Sequence, residues 1–207
     1  MPTAKRPAKK KPPRARLDVD ERRAQLLALG LELFSQRAYD AISIDEIALA
    51  AGISKGLLYH YFPTKRDFYA AAIREASRQL LDCTTPDADA PPIQRMYRGL
   101  DAYLVFVEQR APAFSALLRG GIGSDPAVAG IVQETRDRFL SRLIENVPAG
   151  TVGPELRVTL RGWIGFVEAA SLDWVERREI GRAAVRDLCA EVLIQAILVA
   201  TKRAGPA

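Results

Sequence analysis

The sequence predicts an all-α fold: a compact helical N-terminal unit followed by a larger helical one. Three observations lead there. Apolar residues recur every three or four positions from Asp20 nearly to the C-terminus. Ser43, Ser54 and Thr64 each stand just before such a run, where a side-chain oxygen can cap a helix. No segment alternates polar and apolar residues as a half-buried strand does. The 207 residues, 48% apolar and 27% charged, suffice for one large or two small domains with a real core.

Charge is unevenly placed. The net charge is +5, yet the first sixteen residues carry seven cations (Lys5, Arg6, Lys9, Lys10, Lys11, Arg14, Arg16) and no acid, so the remainder has a net charge of −2. Pro2, Pro7, Pro12 and Pro13 interrupt this stretch. Residues 1–19 are therefore expected to form a disordered basic tail, either adding phosphate contacts or solubilising the end.

Residues 20–83 form the first helical unit. Leu27, Leu31 and Phe34, widened by Leu26 and Ala28, predict a helix over 21–37. Ser43 followed by Glu46 matches a capping box, in which each residue's side chain serves the other's amide. Ile44, Ile47 and Ala48 give that second helix its apolar face, and Gly52 ends it. Ser54 caps a third helix over 55–61, and Pro63 bars its continuation. Thr64 opens a fourth, running toward Cys83 with Phe68, Ala72 and Ile73 inward and Tyr69 at its edge. Lys65 and Arg66 in its first turn oppose the helix dipole, a placement that makes sense if they face phosphates.

The proline-rich and acidic stretch 84–92 is a linker. Residues 93–207 then continue as helices. Ile93, Met96, Tyr97, Leu100, Tyr103, Leu104 and Val107 share one face, broken near Arg110–Pro112. Phe114, Leu117 and Leu118 mark a short helix. Ser124 is a candidate cap for a helix over 127–146, faced by Val128, Val132, Thr135, Phe139 and Leu143. Two long helices, 155–177 and 181–201, close the chain, for a count of nine.

The third helix has two distinct edges. Leu58 and Phe62 fall four residues apart and face inward, whereas Lys55 and Tyr59 make a second four-residue pair facing outward. Tyr59 and Tyr61 can donate to phosphate oxygens and Lys65 can neutralise another phosphate. Lys55 can approach guanine acceptors in a major groove. Gly56 permits close backbone approach, and His60 can meet phosphate or a thymine methyl. Packing alone can also account for Tyr61, and capping for Ser43.

Residues 21–70 resemble the N-terminal DNA-binding region of the TetR-like transcriptional regulators. The matching run is SIDEIALAAGISKGLLYHYFPTKRDFYAAAI, from Ser43 to Ile73. This resemblance implies an all-helical homodimer whose first three helices bind double-stranded DNA, each subunit entering half of a palindromic operator. It places Lys55 and Gly56 near base edges. Ser43, Ser54, Tyr59, His60, Tyr61 and Lys65 complete the DNA-facing set, chiefly by positioning the backbone. Leu57 departs from the small or hydroxyl residue the family often has there.

The same resemblance makes 93–207 a dimerisation and ligand-response domain. The expected pocket residues are Met96, Leu100, Tyr103, Phe114, Leu118, Phe139, Trp163 and Phe166, which lie on separate helices as an enclosed pocket requires. The expected dimer contacts are Trp163, Val167, Trp174, Leu188, Val192 and Ala196. Ordinary core packing uses the same side chains. A small apolar effector would favour one shape and DNA another, with release of a repressor by ligand the leading outcome and corepression or activation left open.

Other classes find less support. His60 is the only histidine, so no second one can anchor a Ser/His/acid constellation, and the chain is not expected to be an enzyme. Neither metal spacing nor a dinucleotide fingerprint is present, so no cofactor or metal is expected. Cys83 and Cys189 are expected to be small buried side chains in a reducing cytoplasm. No apolar span of transmembrane length or secretory signal is seen, so no membrane partner is expected. A constitutive architectural DNA-binding protein, without a ligand switch, is the competing reading.

Overall fold

The computed structural model describes residues 19–85, 87–119, 125–147 and 152–203. Among them the chain is all helical, with nine α-helices and one 3-10 turn. These are α1 (Val19–Gln36), α2 (Ile44–Ala50), α3 (Lys55–Tyr61), α4 (Lys65–Cys83), α5 (Pro92–Gln109), α6 (Ala111–Leu118), α7 (Pro126–Glu145), α8 (Pro154–Arg177) and α9 (Arg182–Arg203), with the 3-10 turn at Tyr39–Ala41. Helix α1 starts at Val19, two residues before the predicted 21. The rest of the predicted basic tail, residues 1–18, lies outside the described residues.

The predicted caps organise the first unit. Ser43 Oγ accepts from Glu46 N–H at 3.1 Å, and Ser43 N–H donates to Glu46 Oε2 at 2.7 Å. Ser54 Oγ accepts from Leu57 N–H at 3.1 Å, and Thr64 Oγ1 from Asp67 N–H at 3.1 Å. Each satisfies an amide that the first helical turn leaves without a partner. The predicted Ser124 cap lies outside the described residues. Asp125 caps α7, accepting from Ala127 N–H at 2.9 Å, with Pro126 in the first helical position where its missing N–H costs nothing.

One hydrophobic core joins α1, α2, α3 and the first half of α4. Leu26, Phe34, Ile42, Ile47, Leu58, Phe62, Phe68 and Ala72 are buried in it. Along α1 the buried line is Leu26, Gly30 and Phe34, so Ala28, predicted to widen the stripe, is exposed instead. A Cβ on Gly30 would meet Phe68 Cζ at 2.7 Å, and its absence lets α1 seat against that ring. Tyr69 is not at an edge but buried, packed edge-on against Phe34 (4.8 Å between centroids) and Tyr39 (5.0 Å).

A second core lies between α5, α7, α8 and α9, with Leu104, Val107, Leu160, Trp163, Val167, Trp174, Cys189 and Leu193 buried. Trp163 Nε1 donates to the Cys189 carbonyl at 2.9 Å, tying α8 to α9. Helix α8 stops at Arg178, whose left-handed backbone (φ 55°) returns its N–H to the Trp174 carbonyl. Of the two cysteines, Cys189 is buried as expected. Cys83 is exposed, because it falls on the outer side of the last turn of α4.

The two cores interlock. Val128 and Ile131, near the start of α7, are buried with the first core, and Leu117 of α6 packs against it. Arg66 of α4 forms an ion pair with Asp125. Its charge is thereby engaged by Asp125 of the second unit, a partner that the sequence reading of Arg66 did not include.

Candidate nucleic-acid interface and buried cavity

Helix α3 separates its edges as its spacing predicts. Leu58 is 0% exposed and Phe62 3%, whereas Tyr59 is 39% exposed. Lys55, Gly56 and His60 are exposed and Tyr61 is half-buried. Burying Leu58 and Phe62 contributes about 1.5–3 kcal/mol each and fixes the rotation of the short helix. Its other edge is thereby turned outward.

The turn before α3 depends on Gly52, whose φ of +64° lies in the left-handed region that costs side-chain-bearing residues energy. Gly56 is different. It has ordinary φ, and a Cβ there would meet nothing within 4 Å. The space beside it is open to an approaching molecule.

Electrostatics refine the outward face. Lys55 Nζ lies 3.1 Å from Asp45 Oδ2, linking α3 to α2. That bond raises the lysine pKa and holds it charged. Sequence reasoning missed Asp45, although its position two residues after the cap signals that it shares the exposed side of α2. Lys65, half-buried, sits with Nζ 4.0 Å from the centre of the Tyr39 ring. The ring fixes the ammonium at the start of α4 by cation–π attraction. Ser43 and Ser54 are exposed at the two caps. Glu46 is saturated by the Ser43 N–H, Arg37 and the Ser43 hydroxyl, and these donors, the Ser43 amide foremost, pull its carboxyl down to about 2. It stays ionised, and its negative charge is matched by Arg37 Nη1 at 3.0 Å.

The second unit holds a cavity of about 420 Å³, within the range of small-molecule sites. Met96, Leu100, Tyr103, Phe114, Leu118, Phe139 and Trp163 line it. Phe166 does not: it is half-buried against the second core, one position from the inward line of Trp163 and Val167. Sequence reasoning missed Phe106, Leu117, Ile73 and the polar lining residues Arg95 and Arg136, beside which Glu168 also lines the cavity. Lining residues on α5 run from Pro92 to Phe106, about 21 Å of helix. Arg136 grips Glu168 by Nε at 2.9 Å and Nη2 at 2.7 Å. Tyr103 is only 9% exposed, and burial pushes its hydroxyl pKa far up, so it stays protonated.

The six expected dimer residues divide. Trp163, Val167 and Trp174 are buried in the chain's own core and cannot reach a second subunit. The helical stripe that includes them packs α8 onto α5 and α9, which their spacing alone did not distinguish from an outer face. Leu188 is 46% exposed, and Val192 and Ala196 are half-buried. Further outward lie Val158, Gly162, Gly165 and Ala169 on α8, with Leu198 and Val199 on α9. Among the described residues no cluster of His, Cys, Asp or Glu side chains is placed to hold a metal ion, and no helix is long and apolar enough to cross a membrane.

Comparison with known proteins agrees with this arrangement. Residues 26–72 match the family profile of bacterial regulatory proteins, tetR family, and residues 92–196 match the tetracyclin repressor-like C-terminal domain. The transcriptional activator FasR of Mycolicibacterium smegmatis is 34% identical over 125 residues, which cover 57% of this chain and 55% of FasR. The match thus spans little more than half of that relative's length. The transcriptional repressor KstR of Rhodococcus jostii is 26% identical over 160 residues, covering 76% of this chain and 74% of KstR. A solved tetR-family regulator from Streptomyces coelicolor has 34% identity and a TM-score of 0.84, covering 90% of this chain and 85% of that one. With its helix-turn-helix and its C-terminal helical domain both matched in order, the chain belongs to the TetR family of DNA-binding transcriptional regulators.

Proposed function

We propose that the protein is a ligand-responsive repressor that binds a palindromic operator as a homodimer and releases it when a small, mostly apolar molecule fills the cavity. One observation carries the switch: Ile73 and Leu117 line the cavity and also pack in or against the DNA-binding core. A molecule that displaces either side chain must move α4 or α6 relative to α3. A protein packed at crystal-like density transmits such a shift. Cavity and DNA then compete for two arrangements of the same helices, and each ligand weakens the other by the same factor.

The DNA-facing set is Ser43, Ser54, Lys55, Gly56, Tyr59, His60, Tyr61 and Lys65, with Lys55 and Gly56 nearest the bases. The second subunit packs on the outer stripe of α8 and α9, where small Gly162, Gly165 and Ala169 oppose Leu188, Val192 and Val199. A self-complementary pairing of two helices per subunit gives a four-helix interface with twofold symmetry. That symmetry is what a palindromic operator requires.

The test begins with selection of random duplex DNA by the full-length protein. An inverted repeat with one fixed half-site spacing is expected. Cavity ligands identified by calorimetry are then titrated into the complex, and release is expected. Ligands that bind without changing DNA affinity would leave a constitutive architectural protein as the better reading. Tighter DNA binding would reverse the sign to corepression or activation. Relatives named as activator and repressor, FasR and KstR, make the sign an outcome to measure.

A further inference from the structure

The cavity wall is mostly hydrocarbon, so its polar atoms define what it can recognise. Two of them are buried without a hydrogen-bond partner: Tyr103 Oη and Arg95 Nε. Ser171 lies close enough to act on the Tyr103 hydroxyl, but its own hydroxyl is spent on the Val167 carbonyl at 2.6 Å, and Oη makes no hydrogen bond of good geometry. An unpaired polar group at this depth is costly, and a ligand atom that pairs with it recovers that cost.

The two atoms mark different ends. Arg95 and Tyr103 stand eight positions apart on α5, about 12 Å along the helix axis. The exposed lining residues, Pro92, Ile93 and Asn146, all lie at the Arg95 end, which is the mouth. Arg142 stands there too, donating to the Leu81 carbonyl at 2.7 Å. The deep end is neutral. Glu168 is the only acid among the described lining residues, and Arg136 takes both its oxygens. A second carboxylate placed there would sit beside Glu168, away from water. An anion therefore belongs at the mouth, and an uncharged oxygen belongs beside Tyr103.

We infer that the cavity takes an acyl acid carrying a hydroxyl or oxo group partway along its chain, with its carboxylate at Arg95 and the mid-chain oxygen hydrogen-bonded to Tyr103 Oη. This rests on the reading of the cavity as a ligand site. The apolar chain between the two polar ends runs past Met96, Leu100 and Phe139. A plain acid of equal length fills the same space but leaves the Tyr103 hydroxyl unpaired.

Ricinoleate and oleate make a matched pair of probes, differing only in the mid-chain hydroxyl. Binding to the full-length protein is followed by calorimetry and by fluorescence of Trp163, which lines the cavity. Ricinoleate is expected to bind about tenfold more tightly than oleate. Tyr103→Phe, which keeps the ring packed near Phe114 and Phe139, is expected to erase that difference. Arg95→Gln is expected to weaken both acids more than their methyl esters. Equal affinity for the two acids in the unsubstituted protein, or a preference that survives Tyr103→Phe, overturns the inference while leaving the cavity as a ligand site. Equal effects of Arg95→Gln on acids and esters overturn the placement of the carboxylate. If neither acid binds, the inference falls, while the reading of the cavity as a ligand site stands or falls with the wider calorimetric search.

Discussion

Arg66 Nη2 donates to Asp125 Oδ1 at 2.8 Å, joining the first turn of α4 to the N-cap of α7. The same carboxylate accepts the Ala127 N–H, so one side chain both starts a helix of the effector unit and holds the helix that follows the recognition helix. Arg66, foremost among its partners, keeps the Asp125 carboxyl below its ordinary range. Asp125→Ala removes both roles and is expected to lower the melting temperature. Asp125→Asn keeps a capping oxygen and loses the ion pair, so it is expected to fall between. DNA binding measured with and without a cavity ligand should also separate them from the parent, because α7 carries Thr135, Arg136 and Phe139 of the cavity wall. Equal ligand-dependent release in all three proteins would remove this contact from the coupling.

A pH effect follows from the capping box. Glu46 is lowered from an ordinary value of 4.5 to about 2 by the donors around it. A depressed carboxylate contributes stability fully above its unfolded pKa and loses it as pH falls through the folded one. Glu46→Gln retains an oxygen for the Ser43 amide but gives up the charge that meets Arg37. The variant is expected to melt below the parent at neutral pH, with the gap closing between pH 4.5 and pH 2. Thermal melts across that window check it, and a gap independent of pH would count against a charged Glu46.

The Lys55–Asp45 pair restrains the residue proposed to read bases. Asp45→Asn leaves the fold intact, frees Lys55 and removes a negative charge from the DNA-facing side. Affinity for unrelated duplexes is expected to rise roughly three- to tenfold at moderate salt, in keeping with electrostatic contributions to phosphate binding. Lys55→Ala is expected to change the preferred sequence instead. Fluorescence anisotropy on several duplexes distinguishes these effects. An Asp45→Asn protein indistinguishable from the parent would mean that the pair opens at no cost when DNA arrives.

Lys65 is expected to act on every sequence alike. Lys65→Ala should weaken all duplexes similarly and lower the slope of log affinity against log salt by about 0.9, the share of one phosphate contact. Its seat over Tyr39 suggests a companion variant, Tyr39→Leu, that keeps the charge but frees it to move. Tyr39→Leu should leave the salt slope nearer the parent value than Lys65→Ala does. A sequence-dependent loss in Lys65→Ala would move the residue from backbone positioning to base reading.

The sequence exposed what short-range chemistry decides. Ser43, Ser54 and Thr64 announce their helices because capping acts over three residues, and Leu58 with Phe62 fixes the α3 face by a four-residue repeat. What it concealed depends on long-range packing. Trp163, Val167 and Trp174 form a clean helical stripe, but a stripe does not say whether its cover is the same chain or another. Phe166 differs from Trp163 by three positions, and small differences in helix rotation moved it off the cavity. Arg66 and Asp125 are far apart in the chain, so no local pattern could pair them. Cys83 was exposed by a rotation at the end of α4 that its mixed neighbours, Asp82 and Thr84, do not specify.

Two glycines of the DNA-binding unit should fail for different reasons. Gly52→Ala places a side chain at φ +64° but meets no atom within 4 Å, so its cost is purely that of the backbone, about 1–2 kcal/mol. Gly52→Asn should recover part of it, because asparagine tolerates the left-handed region. Gly30→Ala has ordinary backbone but drives a methyl against Phe68 Cζ at 2.7 Å, an overpacking cost of about 1–3 kcal/mol. Adding Phe68→Leu to Gly30→Ala should return some of that loss, although the same exchange is destabilising in the parent. Urea unfolding of these five variants beside the parent measures both comparisons. If Phe68→Leu worsens Gly30→Ala by its full cost in the parent, the close approach of α1 to α4 does not set the requirement at position 30.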